Sequence, residues 1–346
     1  MTSFLETELR EQPAALAQLL ERQADAARDV GELLRGGDVD YVLIASRGSS
    51  SNAARYAQYL LGRAHRVPVA FATPSLYTLY EQPPRLAGAL VIGISQSGES
   101  PDVKSVVDEA RRQGRPTIAI TNEPASPLGR AAEAVLALEA GDERSVAATK
   151  TYLNSLGALA LLFATSTRDD EAMTELARMP AAVAGQLERS FADVEALDSL
   201  EPIAGGTVIA RGVCFGTAYE VALKVRELSG LLFEAYSAAD LMHGPVAAVA
   251  PGWPVVAVAP NGPAHASMRD AIDAVAARGA RLVVVSDDDA LLARAELPLA
   301  LVPDVPEWLS PLVAVVPGQL LALRIASLLG ANLDRPGGLS KVTLTR

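Results

Sequence analysis

Short, uninterrupted apolar runs alternate with longer amphipathic stretches along most of this chain. Residues 41–50, YVLIASRGSS, form a β-branched apolar run that breaks at a glycine and passes into a helical pattern, NAARYAQYLLGRA. Residues 207–228, TVIARGVCFGTAYEVALKVREL, follow the same course about 165 residues later. LVIGISQSG (90–98) is matched by VVAVAPNGP (255–263), and GRPTIAITN (114–122) by GARLVVVSD (279–287), both at an offset of 165. Three strand-like runs in one order and at one spacing predict two copies of an α/β unit. Continuous apolar runs imply strands buried on both faces, hence parallel sheets covered by helices on each side. The expected fold class is α/β: two doubly wound αβα sandwich subdomains with parallel sheets.

The stretch 151–196 is helical and holds no strand-like run. The division that follows places an N-terminal helix and a first subdomain in 1–170, a helical linker in 171–199 and a second subdomain in 200–332. Residues 333–346, LDRPGGLSKVTLTR, form a polar tail.

The chain has 346 residues, which fits two domains. Half of them are hydrophobic and 21% charged, with a mean hydropathy of +0.21, so a disordered chain is excluded. A nucleic-acid binder needs a basic face, and with a net charge of −11 no such partner is expected, but one local site can still take a phosphorylated small molecule. Cys214 is the only cysteine, which rules out an intramolecular disulfide and a thiolate metal cluster. His65, His243 and His265 lie far apart, so neither a metal nor a cofactor is expected. The N-terminal MTSFLETELREQPAAL is acidic and amphipathic, unlike a signal peptide. No apolar stretch reaches ~18 residues without Gly, Pro or charge, so no membrane partner and a cytoplasmic location are expected.

There are 26 arginines but four lysines: Lys104, Lys150, Lys224 and Lys341. Either this is compositional drift, or lysine is kept where an amine is wanted, since Lys forms imines and Arg does not.

Ligands of such sheets sit where strands end and helices begin. In ISQSGESPDV (94–103), Ser95, Gln96, Ser97 and Ser100 surround Gly98, with Ser100 a natural N-cap and Pro101 a natural first helical residue. Hydroxyls, loop amides and a helix dipole make an anion cradle; a plain Ser-rich turn reads the same. SRGSSSNAA (46–54) places Gly48 at a sharp turn and Ser49, Ser50 and Ser51 at a helix start, which also suits an ordinary cap. AGDERSVAATK (140–150) has small residues that admit either a ligand or a packed helix. Glu220, Lys224 and Glu227 share one helix face, as a solvated stripe or as part of a site. His243, in AADLMHGPVA, lies on a turn, as a structural histidine or a functional one.

Taken together, ISQSGES, VAATK, ALKVREL, EAYSAADLMHGP and DRPGGLSKVT resemble the sugar isomerase (SIS) family over nearly the whole chain. The likeness is to the isomerase half of glucosamine-6-phosphate synthase and, more closely, to stand-alone SIS-type glucosamine-6-phosphate deaminases. It implies two αβα subdomains. It also implies that Ser50, Ser95, Gln96, Ser97 and Ser100, with Gly48 and Ser49 beside them, bind phosphate, and that Val146 and Ala148 lie along the sugar. Glu227 then resembles the base between C1 and C2, with Lys224 and Glu220 supporting it. His243 resembles the ring-opening residue, supplied by the partner protomer of a homodimer, and Lys341 on the tail the amine that forms an imine with a ketose. Met1-Thr2 stands where the synthase has an N-terminal cysteine nucleophile, so glutamine-dependent synthesis is not expected. Arg47 and Ala148 replace a cysteine and a serine common in synthases, which points to the degradative branch.

The implied reaction is glucosamine 6-phosphate to fructose 6-phosphate plus ammonia, through ring opening and C1–C2 proton transfer. An N-acetylated substrate would divert the same base toward elimination of the C3 oxygen, a dehydratase or lyase. A non-catalytic sugar-phosphate sensor is the third reading, set against the absence of a helix-turn-helix pattern and the presence of Glu227, His243 and Lys341.

Overall fold

The computed structural model describes residues 3–36, 39–197 and 204–341. The end of the expected tail, 342–346, and the expected domain junction around 198–203 lie outside the described residues. Two compact units emerge. The N-terminal unit takes residues 11–143 and 150–180 with Ser340 and Lys341, and the C-terminal unit takes residues 3–10, 144–149 and 181–339.

The chain begins with α1 (Phe4–Arg22) and α2 (Ala24–Arg35) and then enters the first sheet. There β1 (Tyr41–Ser46), α3 (Gly48–His65), β2 (Val69–Phe71) and α4 (Ser75–Thr78) are followed by β3 (Ala89–Ile94), α5 (Pro101–Arg112), β4 (Thr117–Thr121), α6 (Pro127–Ala131) and β5 (Ala134–Ala137). All neighbours are parallel, in the order β2-β1-β3-β4-β5. From β1 the chain steps outward to β2, and from β3 it steps the other way, so the winding reverses between β1 and β3. That reversal opens a crevice at the strands' C-terminal ends. The pairing of Ser46 with Ile94 brings the two strand ends level.

Helices α7 (Lys150–Thr167), α8 (Asp170–Ala177) and α9 (Met179–Glu195) lead to the second sheet. It comprises β6 (Gly205–Ala210), α10 (Phe215–Ser229), β7 (Leu232–Ser237), α11 (Ala238–Met242), β8 (Pro254–Val258), α12 (His265–Ala277), β9 (Arg281–Ser286), α13 (Asp289–Leu292) and β10 (Leu297–Ala300), closed by α14 (Ser310–Leu328). Its order, β10-β9-β8-β6-β7, is again wholly parallel and reverses between β6 and β8. The doubly wound α/β architecture is therefore as expected from the apolar runs.

Each unit has its own core. Val91, Val106, Ala119 and Leu128 pack together in the first, and Ile209, Ala257, Ile272 and Val284 in the second. The segment Glu307–Leu328, which contains α14, is apolar enough to cross a membrane by length and composition, but 89% of its apolar window is buried inside the protein. A helix that is hydrophobic all round belongs in a core, and this one packs closely on α10. A Cβ at Gly318 would lie 2.2 Å from Val221 Cγ2, so only glycine allows the two helices this approach.

Cys214 is sealed in a short turn before α10, its Sγ 3.4 Å from Ser310 Oγ. Burial pushes the thiol up to about 12, so it is neutral near pH 8, where only the thiolate would react. Iodoacetamide is expected to leave the native protein unmodified and to label one thiol per chain after unfolding in guanidinium. Stoichiometric labelling of the native state would contradict this burial.

Candidate functional site

In the N-terminal unit, β1 ends at Ser46, Arg47 continues in extended backbone as the N-cap, and Gly48 opens α3 with a φ of +52° that favours glycine. Ser49, Ser50 and Ser51 fill the first turn. The N-cap side chain makes no capping bond, and Ser51 Oγ instead meets Ser46 Oγ at 3.0 Å.

The loop after β3 is pinned from several sides. Gln96 O accepts from Asn122 N at 3.0 Å and from Thr121 Oγ1 at 3.2 Å, and Gly98 O accepts from Leu128 N at 3.1 Å. Gly98 has a φ of +62°, and a Cβ there would sit 1.9 Å from Ser126 Oγ. Ser100 and Pro101 take the N-cap and first helical positions of α5 as expected. The capping hydrogen bond is absent, because Ser100 Oγ turns toward Ser95 Oγ at 3.4 Å. The hydroxyls thus converge over the loop instead of closing the helix end.

Beside this loop lies a cavity of about 420 Å³ lined by Gln96, Ser97, Ser126, Glu143 and Lys341 among others. Lys341 Nζ donates to Glu143 Oε2 at 2.6 Å. Glu143 is buried and also accepts from Thr151 N at 3.1 Å and Thr151 Oγ1 at 2.7 Å, which fixes it at the start of α7. Lys150 is buried too, with its ammonium 2.6 Å from Glu11 Oε2. The structure therefore brings Lys341 together with the Ser95–Ser100 loop.

In the C-terminal unit, Lys224 Nζ is 2.5 Å from Glu227 Oε2 and 3.4 Å from Glu220 Oε1. The side chains of Glu220 and Lys224 are 0% and 2% exposed, and that of Glu227 is 25% exposed. A solvated stripe does not describe this group. It is a buried cation with one carboxylate behind it and one at the edge. Removing one partner of a buried ion pair costs about 3–5 kcal/mol, so the group is held as a unit. His243 follows α11, on an exposed turn, which excludes a buried structural role. Among the described residues, no hydrogen bond joins its ring to the Glu220–Lys224–Glu227 group.

Val146 and Ala148 are half-buried on the segment 144–149. Glu8 of α1 holds that segment, accepting from the backbone N–H groups of Arg144 and Ser145 and from Ser145 Oγ.

Sequence reasoning passed over Glu8, Glu143 and Asp102, all of them buried. Glu8 had a legible signal, an acid on the helix face that also buries Leu5, Leu9 and Gln12. Asp102, one residue after Pro101, is bonded by Arg47 Nε at 2.7 Å. No local pattern marks Glu143, whose partner Lys341 is 198 residues away.

The SIS domain family model matches residues 38–165 and 207–328. Over 351 residues the chain is 34% identical to a glutamine–fructose-6-phosphate aminotransferase (isomerizing) of Thermus thermophilus, covering 98% of this chain and 58% of that protein. The aminotransferase of the same name from Thermococcus kodakarensis is 34% identical, with 98% and 57% covered. The chain thus spans somewhat under three-fifths of these relatives. Among solved structures, the C-terminal domain of glucosamine-fructose-6-phosphate aminotransferase from Francisella tularensis superposes with a TM-score of 0.85 at 27% identity, covering 97% of this chain and 98% of that one. A glucosamine-6-phosphate deaminase from Thermotoga maritima shares the fold, with a TM-score of 0.79 at 22% identity and coverage of 99% and 100%. By the family match and the sheet order together, this chain belongs to the SIS family.

Proposed function

We propose that this protein is a phosphosugar isomerase and deaminase that converts glucosamine 6-phosphate and water into fructose 6-phosphate and ammonia. The observation that carries the reading is Glu227, a carboxylate held at the half-exposed edge of a buried Lys224–Glu220 pair. A general base must be both positioned and reachable; the ion pair to Lys224 and the partial exposure of the Glu227 carboxylate support that role. The cavity beside Ser97 and Lys341 supports it, as do relatives that act on amino-sugar 6-phosphates by name.

In this reading the phosphate binds at Ser50, Ser95, Gln96, Ser97 and Ser100, beside Gly48 and Ser49. Remote binding energy of this kind orients the sugar for reaction at C1 and C2. The backbone at Val146 and Ala148 lies along the sugar. His243, contributed by the partner protomer of a homodimer, moves the protons that open the ring. Glu227 removes the C2 proton, which leaves an enolamine, and returns it at C1. The resulting ketimine adds water and releases ammonia. Lys341 meets the ketose as an imine-forming amine.

Incubation with glucosamine 6-phosphate is expected to release ammonia and fructose 6-phosphate in equal amounts. Water loss from the N-acetyl form, with no ammonia from the free amine, would favour elimination instead. Glu227→Gln is expected to abolish turnover while sugar-phosphate binding survives. Near-normal turnover would remove Glu227 as the base.

Replacing Ser95 and Ser97 together by Ala should raise KM strongly for phosphorylated substrates, since each hydrogen bond to a charged group contributes about 1.5–3 kcal/mol. An unchanged KM would place the phosphate elsewhere.

Subunit mixing tests the homodimer. Glu227→Gln and His243→Ala protomers, each inactive alone, should regain activity when they exchange, because one pairing restores an intact Glu227 with an intact His243. Exchange without recovery would mean that His243 serves its own chain.

A further inference from the structure

We propose that Arg47 is a direct ligand of the substrate phosphate, aimed by the buried carboxylate of Asp102. The proposal rests on the reading of residues 48–51 and 95–100 as the phosphate cradle, and adds the one cation that these two turns themselves carry.

The argument begins with charge. Residues 46–51 and 95–101, SRGSSS and SQSGESP, contain one cationic side chain, Arg47, and one anionic side chain, Glu99. Hydroxyls and amides can hydrogen-bond a phosphate dianion, but they do not neutralise it. With Glu99 on the loop, a cradle without Arg47 would set a negative side chain against a negative ligand.

Placement comes from the sheet. β1 and β3 are neighbours at the winding reversal, and Ser46 pairs with Ile94. Arg47 and Ser95 are therefore the first residues beyond two adjacent strand ends, where an open parallel sheet takes its ligand.

Orientation comes from Asp102. Arg47 Nε donates to Asp102 Oδ2 at 2.7 Å, and the other carboxylate oxygen accepts from Val103 N at 2.9 Å. The Arg47 side chain is 52% exposed and that of Asp102 only 1%. Among the described residues, Nη1 and Nη2 of Arg47 have no further hydrogen-bond partner. A guanidinium held at Nε keeps its outer pair of N–H groups, the geometry that grips phosphate bidentately. Asp102 also lies in the first turn of the helix that follows the loop, where an uncompensated buried carboxylate would repel an anion. Arg47 offsets that charge and extends a fork beyond it. Asp102 is thus a positioning residue, and Arg47 a ligand.

Inorganic phosphate, followed by ³¹P NMR titration, is the direct probe, with fructose 6-phosphate run in parallel. Arg47→Ala is expected to weaken phosphate binding about tenfold or more, the loss of a charge-assisted hydrogen bond. Arg47→Lys, which keeps the charge but loses the fork, should fall between the two. The gap between wild type and Arg47→Ala should be wider near pH 8 than near pH 5.5, because the dianion gains more from a cation; a residue that only ties α3 to α5 would not produce this dependence. Thermal melts of each variant establish that it is folded.

If Arg47→Ala binds phosphate as the wild type does at both pH values while the Ser95/Ser97 double variant loses binding, the cradle stands and Arg47 is overturned as a ligand. If the wild type binds neither phosphate nor fructose 6-phosphate at millimolar concentration, the cradle reading and this proposal fall together.

Discussion

A parallel strand can be joined to its neighbour only by a crossover that carries the chain back along the sheet, and from this constraint most of the molecule's organisation follows. Every strand releases its loop at the same edge, and every loop opens into the start of a helix. In the N-terminal unit this brings the turn after β1 and the turn after β3 side by side, although about fifty residues separate them in the sequence. The reversal of winding there leaves no crossover helix over the gap between the two strand ends. The serines at 49–51 and 95–100 are thus collected by topology, before any side chain interaction is considered.

A second regularity concerns charge. Lys224, Lys150 and Lys341 each meet a carboxylate at hydrogen-bond distance, and in every pair at least one member is buried. Taking ions out of water is costly, and well-packed apolar side chains often do as well for stability. What such pairs supply is position. Glu143 shows how this works: two contacts from Thr151 fix the carboxylate to a helix start, and the carboxylate fixes Lys341. Arg47 and Asp102 repeat the arrangement, with a buried anion holding an exposed cation.

How far the sequence was legible depends on where each strand sits. β1, β3, β4, β6, β8 and β9 read clearly because they are interior strands, buried on both faces and therefore continuously apolar. β2, β5, β7 and β10 gave no such signal, and all four are edge strands. An edge strand has one neighbour and one open side, so β2 is three residues long and β7 carries Glu234 and Tyr236 half-exposed or exposed. The site divides similarly. Gly98, Ser100 and the Glu220–Lys224–Glu227 face follow from local spacing. The depth at which Lys224 lies does not, since spacing along α10 cannot say which of its faces the rest of the fold will cover. The Lys341–Glu143 pair is equally non-local.

The burial of the lysines also shapes how the molecule would meet its chemical surroundings. Lys150 and Lys224 are enclosed, whereas Lys341, paired with Glu143, is 25% exposed and Lys104, paired with Asp108 on α5, is 37% exposed. Guanidinium groups do not acylate under mild conditions, so the many surface arginines are invisible to amine-directed reagents. Among side-chain amines, an activated ester or an aldehyde-coated support would therefore find Lys104 first. Coupling through lysine would then favour the flank of α5.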